Sequence, residues 1–83
     1  NKCVKLSDLN LSGNQIQNID KKTFNKCENL TCLDISRNQI QNLHQDTFRN
    51  LFHLKYLFIN NNKVHSVDID FFEKLSLLKE IDF

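Results

Sequence analysis

One spelling recurs down the chain at a constant interval, and it limits the possible folds more than any other feature. Leu30, Leu33, Ile35, Asn38 and Ile40 read L-x-x-L-x-I-x-x-N-x-I. The same spelling falls on Leu6, Leu9, Leu11, Asn14 and Ile16, and again on Leu54, Leu57, Ile59, Asn62 and Val64. A fourth copy begins with Leu78, Ile81 and Phe83, and the interval is 24 residues each time, without insertion. Leu33 and Ile35 alternate with Cys32 and Asp34, which is the side-chain period of a strand with one buried face. A parallel neighbour has to be reached by a crossover, which the rest of each period supplies. Equal periods then stack strand on strand about 4.8 Å apart, and each turn buries its apolar residues against the next.

The repeated Asn supports the same reading. Where the chain leaves the strand, backbone N–H and C=O groups point inward without a sheet partner. A buried amide has two donors and a double acceptor, so a ladder of Asn14, Asn38 and Asn62 can satisfy them.

On these residues the chain resembles the leucine-rich repeat family, whose consensus runs 20 to 29 residues. The second half of each period sharpens the likeness: Ile16, Ile19, Phe24 and Cys27 match Ile40, Leu43, Phe48 and Leu51, then Val64, Val67, Phe72 and Leu75. A 24-residue repeat with Phe in its convex half is similar to the typical class of extracellular and receptor ectodomain proteins. The run from Phe24 to Asn38 resembles interior repeats of Toll and Toll-like receptor ectodomains, and secreted leucine-rich immune proteins carry similar runs. The fold implied is an α/β solenoid: a coil with a parallel concave β-sheet and short helical or 3₁₀ turns, or loops, on the convex side. The resemblance also implies an extracellular setting, secreted or on a cell surface, and a role in innate immune recognition. A protein ligand or co-receptor would bind the concave face, and the full-length protein could dimerise.

The expected organisation is a single segment over residues 1–83, with 1–5 ending a preceding repeat. Full repeats cover 6–29, 30–53 and 54–77, and 78–83 start a fourth. A stack this short leaves each end face bare, with roughly seven apolar side chains worth about 1.5 to 3 kcal/mol each if buried. The chain is therefore expected to be part of a longer array, or to have its ends covered by a partner. It contains no Met, no basic-then-apolar leader and no apolar run approaching 18 residues, so no export signal or membrane span is visible within it.

The charge balance of +1 provides no sequence-independent attraction to nucleic acid or anionic lipid. The convex segments around Phe24, Phe48 and Phe72 are expected to form short helical or 3₁₀ turns, with the three rings stacked in the core. Function is therefore sought on the outward strand residues: Ser7, Asp8, Asn10, Ser12 and Gly13, then Thr31, Cys32, Asp34, Ser36 and Arg37. Lys55, Tyr56, Phe58, Asn60 and Asn61 follow, with Lys79, Glu80 and Asp82 in the fourth copy. Asp8, Cys32, Tyr56 and Glu80 should form one row, and Asn10, Asp34, Phe58 and Asp82 the next. Tyr56 and Phe58 are two aromatics on an otherwise polar face, and interface energy concentrates in such anchors. They are the expected centre of a protein-binding patch that includes Asp8, Asp34, Arg37, Lys55, Asn60 and Glu80. The alternative, two rings merely covering each other, stays open at this stage, as does a spacer role without ligand contact.

The three cysteines support no catalytic or metal site. Cys3 and Cys27 share the phase at which later turns place Leu51 and Leu75, so the default is a buried thiol in a leucine position. A disulfide between them remains the alternative. Cys32 faces outward, and Cys27-x4-Cys32 is poor geometry for zinc. His44, His53 and His65 fall at different phases, and no His joins the outward strand residues, so a nucleophile there lacks its base. No cofactor is implied. Asn10-Leu11-Ser12 and Asn29-Leu30-Thr31 are glycosylation sequons. Asn29 sits where the chain enters the strand, and Asn10 lies mid-strand on the concave side. An intracellular scaffold of the same architecture would leave both sequons unused and the cysteines reduced.

Overall fold

Four three-residue strands carry the repeat. In a computed structural model the described residues are 5–44, 46–64, 75 and 77–82. The strands are β1 (Asp8–Asn10), β2 (Cys32–Asp34), β3 (Tyr56–Phe58) and β4 (Glu80–Asp82), in one sheet ordered β1-β2-β3-β4. All three pairings are parallel and step by 24 residues: Leu9 faces Leu33, Leu33 faces Leu57, and Leu57 faces Ile81. The inward row is thus a single file of branched aliphatic side chains. The two outward rows are also those expected, Asp8–Cys32–Tyr56–Glu80 and Asn10–Asp34–Phe58–Asp82.

Short strands need help at both ends, and the backbone provides it. At the strand start, the carbonyls of Ser7, Thr31 and Lys55 each accept two N–H groups from the next turn. Past the strand end, the N–H groups of Gly13 and Arg37 reach the Ser36 and Asn60 carbonyls at 3.2 and 3.0 Å. That turn requires the left-handed region, and φ is +72° at Gly13, +57° at Arg37 and +59° at Asn61. Glycine adopts it freely and Asn tolerates it, whereas Arg37 holds it at a steric cost.

The asparagine ladder lies beneath this turn. Asn38 Nδ2 donates to the carbonyls of Ile35 at 3.0 Å and Ser36 at 3.1 Å in its own turn, and of Leu11 at 3.0 Å in the turn before. Its Oδ1 accepts the Ile16 N–H at 3.1 Å. Asn62 repeats the pattern one turn on, through the Ile59 and Ile35 carbonyls at 3.0 Å and the Ile40 N–H at 3.1 Å. The Ile35 carbonyl therefore accepts two amides, that of Asn38 in its own turn and that of Asn62 in the next. Each amide joins two turns as well as closing its own.

The convex side consists of hydrogen-bonded turns, and the described residues contain no α-helix. Turns close from Thr23 to Asp20, Asn25 to Lys22, Cys27 to Phe24 and Leu30 to Cys27, each N–H reaching three residues back. The next turn repeats this at Thr47, Arg49, Leu51 and Leu54. Phe24 and Phe48 are buried beneath, with ring centroids 6.2 Å apart and planes 24° from parallel. Phe72, and the third convex segment around it, lie outside the described residues.

Cys27 requires a correction. It is buried as a leucine surrogate would be, at 1% exposure. It is not the free thiol expected there, because it is disulfide-bonded. Its partner is outside the described residues; the sequence places Cys3 one period upstream. Cys32 is a free thiol.

Candidate functional site

The open face of the sheet brings five of the eight expected contact residues onto the strands themselves: Asp8, Asp34, Tyr56, Phe58 and Glu80. Lys55 lies one residue before β3, Asn60 two residues after it, and Arg37 three residues after β2. Asp8, Arg37 and Glu80 are exposed, while Asp34, Lys55, Phe58 and Asn60 are half-buried. Tyr56 keeps 38% of its surface in solvent. As residues i and i+2 of β3, Tyr56 and Phe58 share one face.

A local hydrogen-bond motif sets this face and then stops at the aromatics. In the first turn Asn10 Oδ1 accepts the Ser12 N–H at 2.9 Å and the Ser12 hydroxyl at 2.7 Å. In the second, Asp34 Oδ1 accepts the Ser36 N–H at 3.0 Å and its hydroxyl at 2.6 Å. These are Asx turns, in which a short polar side chain imitates a backbone turn. At the third the pair is Phe58 and Asn60, and Phe58 has no polar group to spend on the backbone. Ser36 was expected to point outward, but it is buried at 7% exposure. Ser12 makes the same bond in the first turn and is only half-buried, so Ser36 is buried by the turns on both sides of it rather than by the bond.

Cys32 lies between Asp8 and Tyr56 in its row. Partial burial raises its pKa above the ordinary thiol value, and the carboxylates of Asp8 and Asp34 add to that. Its reactive thiolate is correspondingly disfavoured. Beside it, the Thr31 hydroxyl lies within reach of the Ser7 carbonyl at 3.2 Å and of Asp8 Oδ1 at 3.4 Å.

Two further features escaped the sequence reading. Phe52 and Leu77 are 53% and 45% exposed at the strand-start edge. Phe52 stands where the preceding turn has Glu28, so an apolar residue in a polar phase was the available signal. On the convex side a cleft of about 430 Å³ lies between Lys21, Lys22 and Asn25 of one turn and Asp46, Arg49 and Asn50 of the next. Arg49 approaches the Asp46 carboxylate at 3.9 Å, and Asn50 Nδ2 donates to Asn25 Oδ1 at 3.4 Å. No period-based argument points to a cleft formed by residues that differ between turns.

The sequon asparagines Asn10 and Asn29 are both exposed. Among the described residues no three His, Cys, Asp or Glu side chains converge as a metal site would require. Nor do they include a helix long and apolar enough to cross a membrane.

Comparison with known proteins agrees with this architecture. No curated protein sequence matches the chain. Among solved structures, it is similar to the Toll–Spätzle complex of Drosophila, described as a hub in development and innate immunity, with a TM-score of 0.89 and 28% identity. That match covers 95% of this chain and 10% of the other, so the chain spans about a tenth of that structure's length. The leucine-rich repeat domain of APL1B aligns with a TM-score of 0.68 at 23% identity, over 90% of this chain and 30% of that one. An internalin C2 from Listeria monocytogenes aligns at 0.63 and 25%, over 94% and 42%. The leucine rich repeat family model matches residues 4–64, and with the parallel sheet and the asparagine ladder this makes the chain a member of the leucine-rich repeat family, whose coils serve as protein-binding modules.

Proposed function

We propose that this chain is an extracellular protein-recognition segment whose concave face binds a protein ligand or co-receptor, as part of an innate immune receptor of the Toll type or a secreted leucine-rich immune protein. The observation that carries the reading is the Tyr56 and Phe58 pair on β3, two aromatics side by side on a face otherwise made of short polar and charged groups. Anchors of this kind, surrounded by polar side chains, are where interface free energy concentrates. Asp8, Asp34, Arg37, Lys55, Asn60 and Glu80 form the polar surround.

Two observations support the setting. Cys27 is disulfide-bonded, and such bonds persist mainly in oxidising compartments, which counts against an intracellular scaffold. The Toll–Spätzle structure, at 28% identity, ties the same coil to a ligand complex.

Glycans on Asn10 and Asn29 belong to the same reading. Asn10 shares its row with Asp34 and Phe58, so a glycan there would crowd the first turn and push protein contact toward the second and third turns or a lateral edge. Glycopeptide mapping of the secreted protein is expected to find both sites occupied.

The decisive experiment is the double substitution Tyr56→Ala with Phe58→Ala in the full-length protein, read as binding of its natural ligand. Loss of about 2 kcal/mol or more is expected, as for central aromatic anchors. Unchanged binding would leave this segment a spacer.

A further inference from the structure

Side-chain charge on the strands is distributed very unevenly. Of the eight outward strand residues, four are carboxylates, Asp8, Asp34, Glu80 and Asp82, and none is cationic. Register places them around the aromatics. Phe58 lies between Asp34 on β2 and Asp82 on β4, and Tyr56 has Glu80 beside it on β4. Neighbouring strands are about 4.8 Å apart, so a group resting on the Phe58 ring is within reach of a carboxylate on either side.

The nearest cations flank these rows rather than lie in them. Lys55 and Lys79 precede β3 and β4, and Arg37 follows β2. Among the described residues the only carboxylate within ion-pair distance of a basic side chain is Asp46, on the convex side. Asp34 is also held in place: its Oδ1 accepts the Ser36 N–H and hydroxyl, so this carboxylate has little freedom left to lose.

We infer that the Tyr56–Phe58 patch is a seat for a cationic side chain of the partner, an arginine or lysine laid on the Phe58 ring and flanked by the Asp34 and Asp82 carboxylates. Ring faces attract a cation through their quadrupole, and the flanking carboxylates add direct Coulomb attraction. A guanidinium fits better than an ammonium, because its plane stacks on the ring while its edge donates to carboxylates on both sides. An acidic or purely apolar protein surface would instead meet repulsion or strand these carboxylates without water. This identification of the partner's chemistry rests on the concave-face reading above.

The chain carries its own reporter. Tyr56 is the sole tyrosine of these 83 residues, which also hold no tryptophan, and loss of the emission change in Tyr56→Phe of the same protein assigns the signal to the patch. The probes are a capped Gly-Arg-Gly-Arg-Gly peptide, its citrulline counterpart, which keeps the shape and loses the charge, and its glutamate counterpart. The arginine peptide is expected to change Tyr56 emission saturably, with the citrulline peptide weaker by at least about tenfold and the glutamate peptide silent. Asp34→Asn with Asp82→Asn should weaken the arginine peptide about fivefold, and Phe58→Leu, which keeps bulk but removes the ring face, about threefold. Circular dichroism of each variant establishes that the fold is retained. Citrulline and arginine peptides binding equally, or no peptide binding at all, overturns the inference. The concave-face reading fails separately, through natural-ligand binding that survives Tyr56→Ala with Phe58→Ala in the full-length protein.

Discussion

Over one seven-residue stretch the first and second turns are almost the same peptide, yet the two turns occupy different environments. Gly13-Asn14-Gln15-Ile16-Gln17-Asn18-Ile19 aligns with Arg37-Asn38-Gln39-Ile40-Gln41-Asn42-Leu43, differing at two positions. In the second turn Leu30, Leu33, Ile35 and Ile40 are completely buried, whereas their equivalents Leu6, Leu9, Leu11 and Ile16 are exposed or half-buried. Asn38 makes four hydrogen bonds across two turns, while Asn14 reaches only the Leu11 and Ser12 carbonyls of its own turn. Thr47 is buried, and Thr23 is exposed. What a side chain contributes here depends less on what it is than on whether a turn lies on both sides of it. Such a stack behaves as a one-dimensional array, with stability arising between neighbours.

Substitutions made in pairs, one per turn, test that contrast. The largest difference is expected between Leu33→Ala and Leu9→Ala. Removing a fully buried leucine costs about 2 to 5 kcal/mol, and the half-buried equivalent roughly half as much. Urea unfolding of both variants measures it, and equal losses would contradict the nearest-neighbour picture.

Next is the ladder. Asn38→Ala strands the Ile16 N–H and removes donors from three inward carbonyls, at a cost of roughly 3 kcal/mol. Asn14→Ala, whose partners are open to water, should cost about 1 kcal/mol or less. Amide hydrogen exchange at Ile16 provides the sharper readout, because it should accelerate only in the Asn38 variant.

Thr47 reverses the sign. Its hydroxyl is buried and has no hydrogen-bond partner among the described residues. Thr47→Val keeps the shape and removes an unpaired polar group, so a gain of about 1 kcal/mol is expected, against no change for Thr23→Val. A loss at Thr47 would mean that its hydroxyl does have a partner in solution.

The smallest effects belong to the left-handed turn. A Cβ added at Gly13 would meet nothing within 4 Å, yet its φ of +72° makes Gly13→Ala cost about 1 kcal/mol through backbone strain alone. Arg37→Asn relaxes the same strain one turn on and should stabilise by about 0.5 kcal/mol. Thermal midpoints moving in opposite directions would confirm that φ, rather than packing, governs this position.

A 24-residue spelling repeated in phase was enough to determine the parallel sheet, its register and the rows on its open face, because identical turns can stack only by placing like on like. It also determined which amides would close the turns, since the strand's end leaves the same backbone groups unpaired each time. The tertiary structure decided whatever depends on neighbours that the pattern does not name. Ser36 alternates as an outward residue should, but turns on both sides bury it, while Ser12 in the first turn makes the equivalent bond and stays half-buried. Cys27 reads as a leucine surrogate, and only its bonded state distinguishes it from one. The convex cleft and the exposed edge at Phe52 arise where adjacent turns differ. Periodicity encodes what successive turns share, while a cleft, a disulfide or a tucked hydroxyl depends on individual atoms meeting in space.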